Sequence, residues 1–584
     1  MKILFEEYKY KPEELPSLEG IDPIELKDGG VKLPYVGYYY DVASAETIFI
    51  LPKVFIVDSL AFKRYDPELL CKSQSEKEPL SADDQAFLFS LSAWLYQAIA
   101  LFNELHPSNE ITSQRSLAGV VGHKGKDGVT LLDHVLSLLR FNREHQSLFT
   151  YIATIKHTGQ HRIHWTKTIR TTTPLVKGKT PYYLECRTKD KTIYYDEELI
   201  CFFYSTLDYL RQNYHFVVRR HLNYKTEKPH RIANMIECGK GTRYLRKIRG
   251  KYFKDELVQL WNLLYAFYER AEEVAQKRVP NERLLVRNFN IVFEDMIDCL
   301  IGESELPKGL KEQKDGKIID HIYRDKSLVD DDDIYFIGDS KYYKEGNSFD
   351  ENSRYKQITY AKNVIQYNID LFNRREGSGY LRYRDELTEG YNPTPNFFIR
   401  GAVDSEDLSY ADSKLTKEDE EYYSYHFKNR LFDRDTLLVL TYDINFLYVL
   451  SAYVQSRGYS TSVDRFLRDK FRKDIIVAYQ SKYDFYQIEL EGISKKEEFV
   501  ASNFKLLIGK IFQTKEGKLI LALEKENDES KLIERLSLSE KSISLQKIDE
   551  VTCIALILRR SRASRHPASN QPIVPTPPLT SSEV

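Results

Sequence analysis

Apolar residues recur along this chain at both helical and strand spacings, which predicts a mixed architecture. SADDQAFLFSLSAWLYQAIALF is predicted to be a helix, with Ser81 as its N-cap and acidic residues in its first turn. VTLLDHVLSLLRF and DEELICFFYSTLDYLRQNY also repeat apolar residues at helical spacing. GYYYDV and ETIFILPKVFIV predict strands, and RIHWTKTIR alternates like a strand. KLLIGKIFQT-KEG-KLILALE predicts a hairpin near the C-terminus.

The pattern is most informative from Asn281 onwards. NERLLVRNFNIVFEDMIDCLIG predicts one helix whose apolar face comprises Val286, Phe289, Phe293, Met296, Ile297 and Leu300. GKIIDHIYRD and IYFIGDSKYYK predict two strands joined by an acidic turn. RYKQITYAKNVIQY predicts a helix, and NFFIRGAV a further strand. The predicted order is therefore helix, strand, turn, strand, helix, strand.

These strands carry residues suited to metal-dependent chemistry. Asp320 and Asp339 lie on the two predicted strands of a hairpin, where two carboxylates can share one divalent cation. Alternation along the second strand places Asp339 and Lys341 on one face and Ser340 on the other. The Lys341 ammonium can then orient an attacking water or neutralise charge in the transition state. His321 is expected on the opposite face, so it is not predicted to be a ligand.

The neighbouring helices offer two further side chains. Glu294, on the preceding helix, can supply another acid, although Asp295 and Asp298 are close alternatives. Gln357, on the following helix, could hold a nucleotide or water. The Asp-x-Lys triplet alone is weak, because Asp412-Ser413-Lys414 repeats it in an acidic linker. Only the triplet at 339–341 follows an apolar strand paired with an acid-bearing one. The alternative is a hairpin that ends in a solvent-facing Asp–Lys pair.

Composition is that of an ordinary folded protein: 584 residues, 42% hydrophobic and 29% charged. The most apolar run, Leu88 to Phe102, is about one buried helix long, so no membrane span or membrane partner is predicted. The acidic, proline-bearing start does not resemble a signal peptide. Six scattered cysteines without a C-x-x-C pair favour a reduced, cytoplasmic setting.

Charge is distributed unevenly. Residues 151–254 contain 22 lysines and arginines against 8 acids, a net charge of +14, and the rest of the chain carries −16. Such a region attracts phosphates, and its aromatic residues can stack on bases. The alternative is a solvated basic face balanced by acidic neighbours. The candidate DNA-binding residues are Arg162, Trp165, Lys167, Arg170, Arg243, Arg246, Lys247 and Arg249.

The predicted fold class is α/β, or α+β in several domains. We divide the chain into a β-rich module that could bind a partner (1–80), a helical and then basic region predicted to bind DNA (81–255), the chemistry-bearing core with a helical extension (256–460), a small α/β segment (461–560) and a disordered tail (561–584).

The core constellation resembles the PD-(D/E)xK nuclease fold. Ile319 stands where the signature has its often variable proline. DSKYYK followed by RYKQITYAK resembles the McrC group of modification-dependent restriction subunits. RIHWTKTIR…TPYYLEC and RLFDRDTLLVLTYDINFLYVL are more similar to LlaJI-type restriction endonucleases. The resemblance covers roughly residues 85 to 455 and matches Asp320 and Asp339 to the metal-binding acids, Lys341 to the catalytic lysine, Glu294 to the helix acid and Gln357 to the helix glutamine.

The resemblance implies a bacterial restriction endonuclease subunit that cuts double-stranded DNA with Mg²⁺, which Mn²⁺ can replace. It also implies a separate AAA+ GTPase partner, and this sequence contains no G-x-x-x-x-G-K-[ST] phosphate loop. A homodimer and a hetero-oligomer both stay open. Two other functions also stay open: a DNA-binding scaffold that activates a partner through an idle nuclease core, and a repair or RNA nuclease of the same fold.

Overall fold

The computed structural model confirms a mixed α/β architecture with several sheets. The part of the chain that it describes comprises residues 1–16, 18–72, 80–107, 118–121, 129–149, 152–156, 162–192, 197–214, 224–313, 317–330, 332–344, 351–374, 380–404, 406–419, 421–457, 465–490, 493–525, 532, 534–536 and 544–548. The predicted disordered tail, residues 561–584, lies outside these ranges.

The helices of the described residues fall mainly in the middle of the chain. They are α1 Pro67–Leu70, α2 Ala82–Leu105, α3 Leu131–Glu144, α4 Trp165–Thr171, α5 Glu198–Tyr214, α6 Pro229–Glu237, α7 Lys240–Ile248, α8 Asp255–Ala275, α9 Phe289–Ile301, α10 Glu351–Arg374, α11 Phe446–Ser456, α12 Arg465–Lys482 and α13 Ile493–Leu507. Short 3₁₀ turns lie at Pro12–Glu14, Lys53–Phe55, Gln146–Phe149 and Arg249–Lys251.

The strands are concentrated at the two ends and in the centre. They are β1 Lys2–Phe5, β2 Ile24–Glu25, β3 Val31–Lys32, β4 Val36–Asp41, β5 Glu46–Leu51, β6 Ile56–Val57, β7 Leu60–Ala61, β8 Val120–Val121, β9 Ile152–Lys156, β10 Leu175–Lys177, β11 Thr180–Tyr182, β12 Thr188–Thr192, β13 Glu282–Val286, β14 His321–Lys326, β15 Asp333–Lys341, β16 Asn396–Ala402, β17 Thr416–Lys417, β18 Tyr422–Ser424, β19 Leu437–Asn445, β20 Tyr483–Glu489, β21 Ile511–Gln513, β22 Leu519–Glu524 and β23 Ser544–Ile548.

The N-terminal strands form a sheet with a strand from much later in the chain. Its order is β1-β5-β4-β13-β8, and β13 pairs antiparallel with β4. This pairing spans the predicted boundaries at residues 80 and 255. Because β13 leads within three residues into α9, the N-terminal sheet fixes where α9 begins.

The central sheet has the order β14-β15-β16-β19-β17, with β18 also paired to β19. β14 and β15 form an antiparallel hairpin, whereas β15, β16 and β19 run parallel. Helix α10 makes the crossover from β15 to β16 that parallel pairing needs. Gly338 in β15 allows close packing, because a Cβ there would lie 2.3 Å from the Phe397 ring. The predicted order of helix, strand, turn, strand, helix and strand is confirmed.

Helix α2 packs against the core of the protein. By length and composition alone it could cross a membrane, but 56% of its most apolar 18-residue window is buried, and it packs against β4, β13 and α11. One such helix is weak evidence for a membrane protein, because core helices pass the same test. One continuous core joins its side chains to those of the N-terminal and central sheets.

Several helix and hairpin predictions are confirmed. Ser81 caps α2 by accepting a hydrogen bond from the Asp84 amide, and α3 and α5 form where their periodicity predicts. The predicted C-terminal hairpin is β21–β22, although its first residues belong to α13. These segments combine the expected periodicity with local capping or turn residues.

Two local predictions were wrong. RIHWTKTIR is not a strand: Trp165–Thr171 is helix α4, and His164 Nδ1 caps it by accepting from the Lys167 amide at 3.2 Å. Trp165 and Ile169 are spaced for a helix as well as for a strand. Val286 is not on the α9 face, because it lies in β13 between β4 and β8. A three-residue apolar run fits either element, and the long-range pairing decides it.

Candidate active site

The two strand acids lie side by side at one end of the β14–β15 hairpin. The antiparallel register sets His321 opposite Gly338, which places Asp320, one residue before β14, next to Asp339. The Ser340 amide donates to Asp320 Oδ2 at 3.0 Å. Asp339 is buried and Asp320 is half-buried. The hairpin therefore brings together the two carboxylates that the sequence suggested.

Lys341 lies on the same face as Asp339, as strand alternation predicts. Its ammonium contacts Asp339 Oδ2 and lies 5.9 Å from the centre of the Phe398 ring. Burial opposes the charge on Lys341, but the carboxylates of Asp339 and Asp320 outweigh it and raise the pKa of the ammonium. Lys341 is therefore a fixed positive charge beside the two acids.

Helix α9 directs one of its three acids toward this pair. Burial raises the pKa of Glu294 to about 7; a hydrogen bond from Asn290 opposes the shift, and the charge of Asp339 adds to it. Asp295 instead contacts His106 and Tyr453, at 3.0 and 2.6 Å. Asp298 contacts Lys311 and His321. The structure thus groups Glu294, rather than its two neighbours, with the strand acids.

The site groups three carboxyl groups around a single lysine. Burial raises the pKa of Asp320 well above its ordinary value, and repulsion from Asp339 and Glu294 is the next largest cause of this shift. Asp339 Oδ2 is buried and, among the described residues, has no donor other than the Lys341 ammonium. A cation bound between these carboxylates would be stabilising, because its positive charge reduces the repulsion between them.

The chemistry of these side chains would suit a hard divalent cation. Carboxylate oxygens are the ligands that Mg²⁺ prefers, and Asp320, Asp339 and Glu294 would provide them from three different parts of the chain. Among the described residues, no three His, Cys, Asp or Glu side chains lie close enough together to hold a metal ion as they stand. Asp339 contacts Lys341 instead.

Gln357 lies in the core behind the strand. It is fully buried, and its Nε2 donates to the Ile337 carbonyl at 2.9 Å and contacts Asn396 Oδ1 at 3.4 Å. These contacts tie α10 to β15 and β16 two residues before Asp339. No hydrogen bond in the described structure joins Gln357 to the three carboxylates.

The first basic segment (151–184) presents its side chains to solvent where it is described. Arg162 and Arg170 are exposed, Lys167 is half-buried, and the Trp165 indole is 54% exposed. The β10–β11 hairpin beside them is exposed along its whole length. This segment therefore exposes both positive charge and an aromatic face to solvent.

The second basic segment (241–254) is an amphipathic surface on α7 and the following turn. Arg243 and Lys247 are exposed one turn apart, on the side away from the buried Leu245. Arg246 hydrogen-bonds the Tyr265 hydroxyl at 3.0 Å, and the Arg249 guanidinium lies 5.1 Å from the Trp261 ring centre. Two of the four candidate residues thus also pack against α8.

Replacing pairs of exposed arginines and lysines is expected to weaken DNA binding in a salt-dependent way. Each phosphate contact contributes about 0.9 to the slope of log K against log salt concentration. The pairs Arg162→Ala/Arg170→Ala and Arg243→Ala/Lys247→Ala should each lower that slope by about 1.8, measured by fluorescence anisotropy. Arg140→Ala, which removes an arginine paired with Glu144 on α3, is the control. An unchanged slope would exclude that segment from the DNA interface.

The raised pKa of Glu294 predicts a specific pH dependence. Folding raises this pKa from 4.5 to about 7, so the folded chain binds the proton more tightly than the unfolded chain. The stabilisation is complete below pH 4.5 and is lost as pH rises through 7. In EDTA, the melting temperature of Glu294→Gln should therefore decrease less between pH 5 and pH 8 than the melting temperature of wild type. Some slope should persist, because burial also raises the pKa of Glu6 to about 7.

Sequence reasoning missed a set of contacts on the other face of the hairpin. His321, Ser340 and Asp298 form hydrogen bonds there, and Tyr342 contacts Glu6 of the N-terminal segment. The adjacency of His321 to Asp320 and of Ser340 to Asp339 was a usable signal for the first set. The Glu6–Tyr342 contact joins residues far apart in sequence, and no local pattern indicates it.

Comparison with protein-family models, with curated proteins and with solved structures finds no match to this chain.

Proposed function

We propose that this protein is a Mg²⁺-dependent DNA endonuclease subunit of a bacterial restriction system, with a PD-(D/E)xK core. The observation that carries the proposal is the grouping of Asp320, Asp339 and Lys341 at one end of the β14–β15 hairpin, with Glu294 facing them from α9. In a solvent-facing ion pair, burial would not raise the pKa values of Asp320 and Glu294 as it does here. The order of elements around the hairpin also agrees with that fold.

Each residue has a distinct part in the proposed reaction. Asp320 and Asp339 would hold Mg²⁺, with Glu294 as a third acid. When bound, the ion activates water and stabilises negative charge on the phosphate. Lys341, held beside Asp339, orients the water or neutralises charge as the phosphodiester bond breaks. Gln357 acts indirectly, by holding β15 against α10.

We further propose that the chain works with a separate AAA+ GTPase. The proposal rests on the restriction-subunit resemblance and on the lack of a phosphate-loop motif in the sequence. The exposed, cationic first basic segment and the second basic segment would contact double-stranded DNA. Contacts to phosphate alone would position the protein without specifying a sequence.

Cleavage of supercoiled plasmid tests the proposal. Wild type and Asp339→Ala are compared in Mg²⁺ and in EDTA, each with and without GTP and the product of the neighbouring gene. Cutting by wild type alone indicates an autonomous nuclease, and cutting only with partner and GTP indicates the restriction subunit. DNA binding without cutting under any condition would overturn the nuclease proposal in favour of the scaffold.

A substrate panel separates the remaining alternative. Closed circular DNA has no free ends, so its cleavage indicates an endonuclease. Preference for linear DNA ends, or for RNA, would instead indicate a repair or RNA nuclease.

A further inference from the structure

A hydrogen-bond network with a buried His321 and Ser340 and a half-buried Asp298 lies on the opposite face of the hairpin from Asp339. His321 Nε2 lies 2.5 Å from Ser340 Oγ, and His321 Nδ1 lies 3.3 Å from Asp298 Oδ1. The Lys311 ammonium contacts the other oxygen of Asp298. Because an ionised carboxylate can only accept, Nδ1–H donates to Asp298, and Nε2 accepts from the Ser340 hydroxyl.

The contacts follow the order of an Asp-His-Ser hydrolase triad, but burial excludes that role. His321 is 0% exposed and Ser340 is 3% exposed. A serine nucleophile must reach its substrate, and this hydroxyl is enclosed between the hairpin and α9. The network therefore acts on the protein itself.

Every residue of the network adjoins a group of the proposed metal site. His321 follows Asp320, and Ser340 lies between Asp339 and Lys341. Asp298 lies one helical turn after Glu294 on α9. The two hydrogen bonds of His321 thus join α9, β14 and β15, and each of the three carboxylates lies on one of these elements or directly before it.

Ser340 is held from both sides. Its hydroxyl bonds to His321 across the hairpin, while its backbone amide donates to Asp320 Oδ2 at 3.0 Å. A shift of Ser340 would therefore change the orientation of Asp320. It would also move Asp339 and Lys341, which are joined to Ser340 by the backbone. The site offers no other described hydrogen bond between β15 and the Asp320 carboxylate.

We propose that Asp298, His321 and Ser340 are positioning residues that fix the three carboxylates relative to one another and thereby set the affinity for a divalent cation. This inference rests on the proposed role of Asp320, Asp339 and Glu294 as the metal site. Groups that orient metal ligands from behind typically contribute 10- to 100-fold to metal affinity.

Binding of Mn²⁺ to the full-length protein, followed by the paramagnetic resonance signal of free Mn²⁺, tests the proposal without requiring cleavage. Ser340→Ala removes a single oxygen and should weaken Mn²⁺ binding by roughly 10- to 100-fold. Ser340→Thr keeps the hydroxyl and should restore most of the affinity. His321→Gln keeps a polar group near Ser340 but loses the hydrogen bond to Asp298. Its Mn²⁺ affinity should therefore lie between those of wild type and Ser340→Ala.

Asp295→Asn is the matched control. Asp295 lies on the same helix and is also hydrogen-bonded, but to His106 and Tyr453 rather than to the hairpin. Its replacement should leave Mn²⁺ affinity unchanged. Thermal melts will show whether Ser340→Ala reduces the folded fraction. If it does, Mn²⁺ affinity is calculated per folded molecule, and recovery of affinity in Ser340→Thr still tests the role of the hydroxyl.

The outcomes separate this inference from the proposed function. Wild-type affinity in Ser340→Ala, with Mn²⁺ binding lost in Asp339→Ala, would overturn the network and leave the metal site intact. Equal Mn²⁺ binding by wild type and Asp339→Ala would overturn the metal site itself, and the positioning role with it. An equal loss in Asp295→Asn and Ser340→Ala would show a general packing effect and would also overturn the inference.

Discussion

Replacing Lys341 with alanine is expected to slow Mg²⁺-dependent plasmid cleavage by roughly 10²- to 10³-fold, the usual effect of removing one group that stabilises developing charge. Lys341 is held beside Asp339, and the two carboxylates keep it charged. DNA affinity should change little, because one half-buried ammonium would contribute little to the proposed DNA-binding surface, which includes two basic segments. Initial rates at saturating DNA, with affinity measured separately by anisotropy, provide the test.

The chain contains its own matched control. Lys414 belongs to the second Asp-Ser-Lys triplet, yet its ammonium pairs with Asp404 and Asp407, at 2.8 and 2.7 Å, in the acidic linker. Lys414→Ala should therefore cleave DNA at the wild-type rate. Equal losses in the two variants, or full activity in Lys341→Ala, would contradict the assignment of Lys341.

Asp339→Asn should show at least as large a loss, because it removes a candidate metal ligand while preserving side-chain shape. The two variants differ in one respect. Asp339→Asn should also lose Mn²⁺ binding, whereas Lys341→Ala should retain it, because the lysine supplies charge rather than a ligand. If Lys341→Ala binds no Mn²⁺, the main role of the lysine would be to hold the carboxylates in place rather than to stabilise charge during cleavage.

Local sequence patterns predicted those parts of the site that local structure determines. Strand alternation was sufficient to place Asp339 and Lys341 on one face, because that periodicity does not depend on the rest of the fold. Helical periodicity could not choose between Glu294 and its neighbours. Asp295 and Asp298 carry the same group, and contacts with His106 and Lys311, outside α9, hold these two acids away from Asp320 and Asp339.

Long-range pairing explains the remaining differences. Val286 lies in a strand because β4, some 250 residues earlier, pairs with β13. The core position of Gln357 likewise depends on how α10 packs over Ile337 and Asn396. A motif identified this residue, but only the tertiary structure shows that its amide binds the backbone. Motif and periodicity thus predict residue types at the site better than they predict contacts.

The buried pair of Arg270 and Glu282 links the N-terminal sheet to the middle helices. Both Nε and Nη2 of Arg270 donate to Glu282 Oε1, at 2.9 and 2.6 Å. The other oxygen accepts from the Leu131 amide at 2.9 Å and from the Tyr38 hydroxyl at 3.4 Å. One carboxylate on β13 therefore joins α8, α3 and β4, and neither charged side chain is more than 5% exposed.

Arg270→Met is expected to lower the free energy of unfolding by about 3–5 kcal/mol, because it leaves a buried carboxylate without its cation. Urea denaturation followed by circular dichroism measures the change. The double variant Arg270→Met/Glu282→Leu should recover much of the loss, since replacing both members of a buried pair costs less than breaking it. Arg231→Met, at an exposed pair with Glu227, should have no measurable effect.

The destabilisation should also depend on pH in a defined direction. Burial already raises the pKa of Glu282, and Arg270 is among the groups that oppose this shift. Without Arg270 the folded-state pKa rises further above the unfolded value, so the folded protein binds an additional proton at moderate pH. Arg270→Met should therefore be closest to wild type near pH 5 and should lose stability progressively as pH rises toward 8. A loss that is constant over this range would show that the arginine contributes through packing rather than through charge.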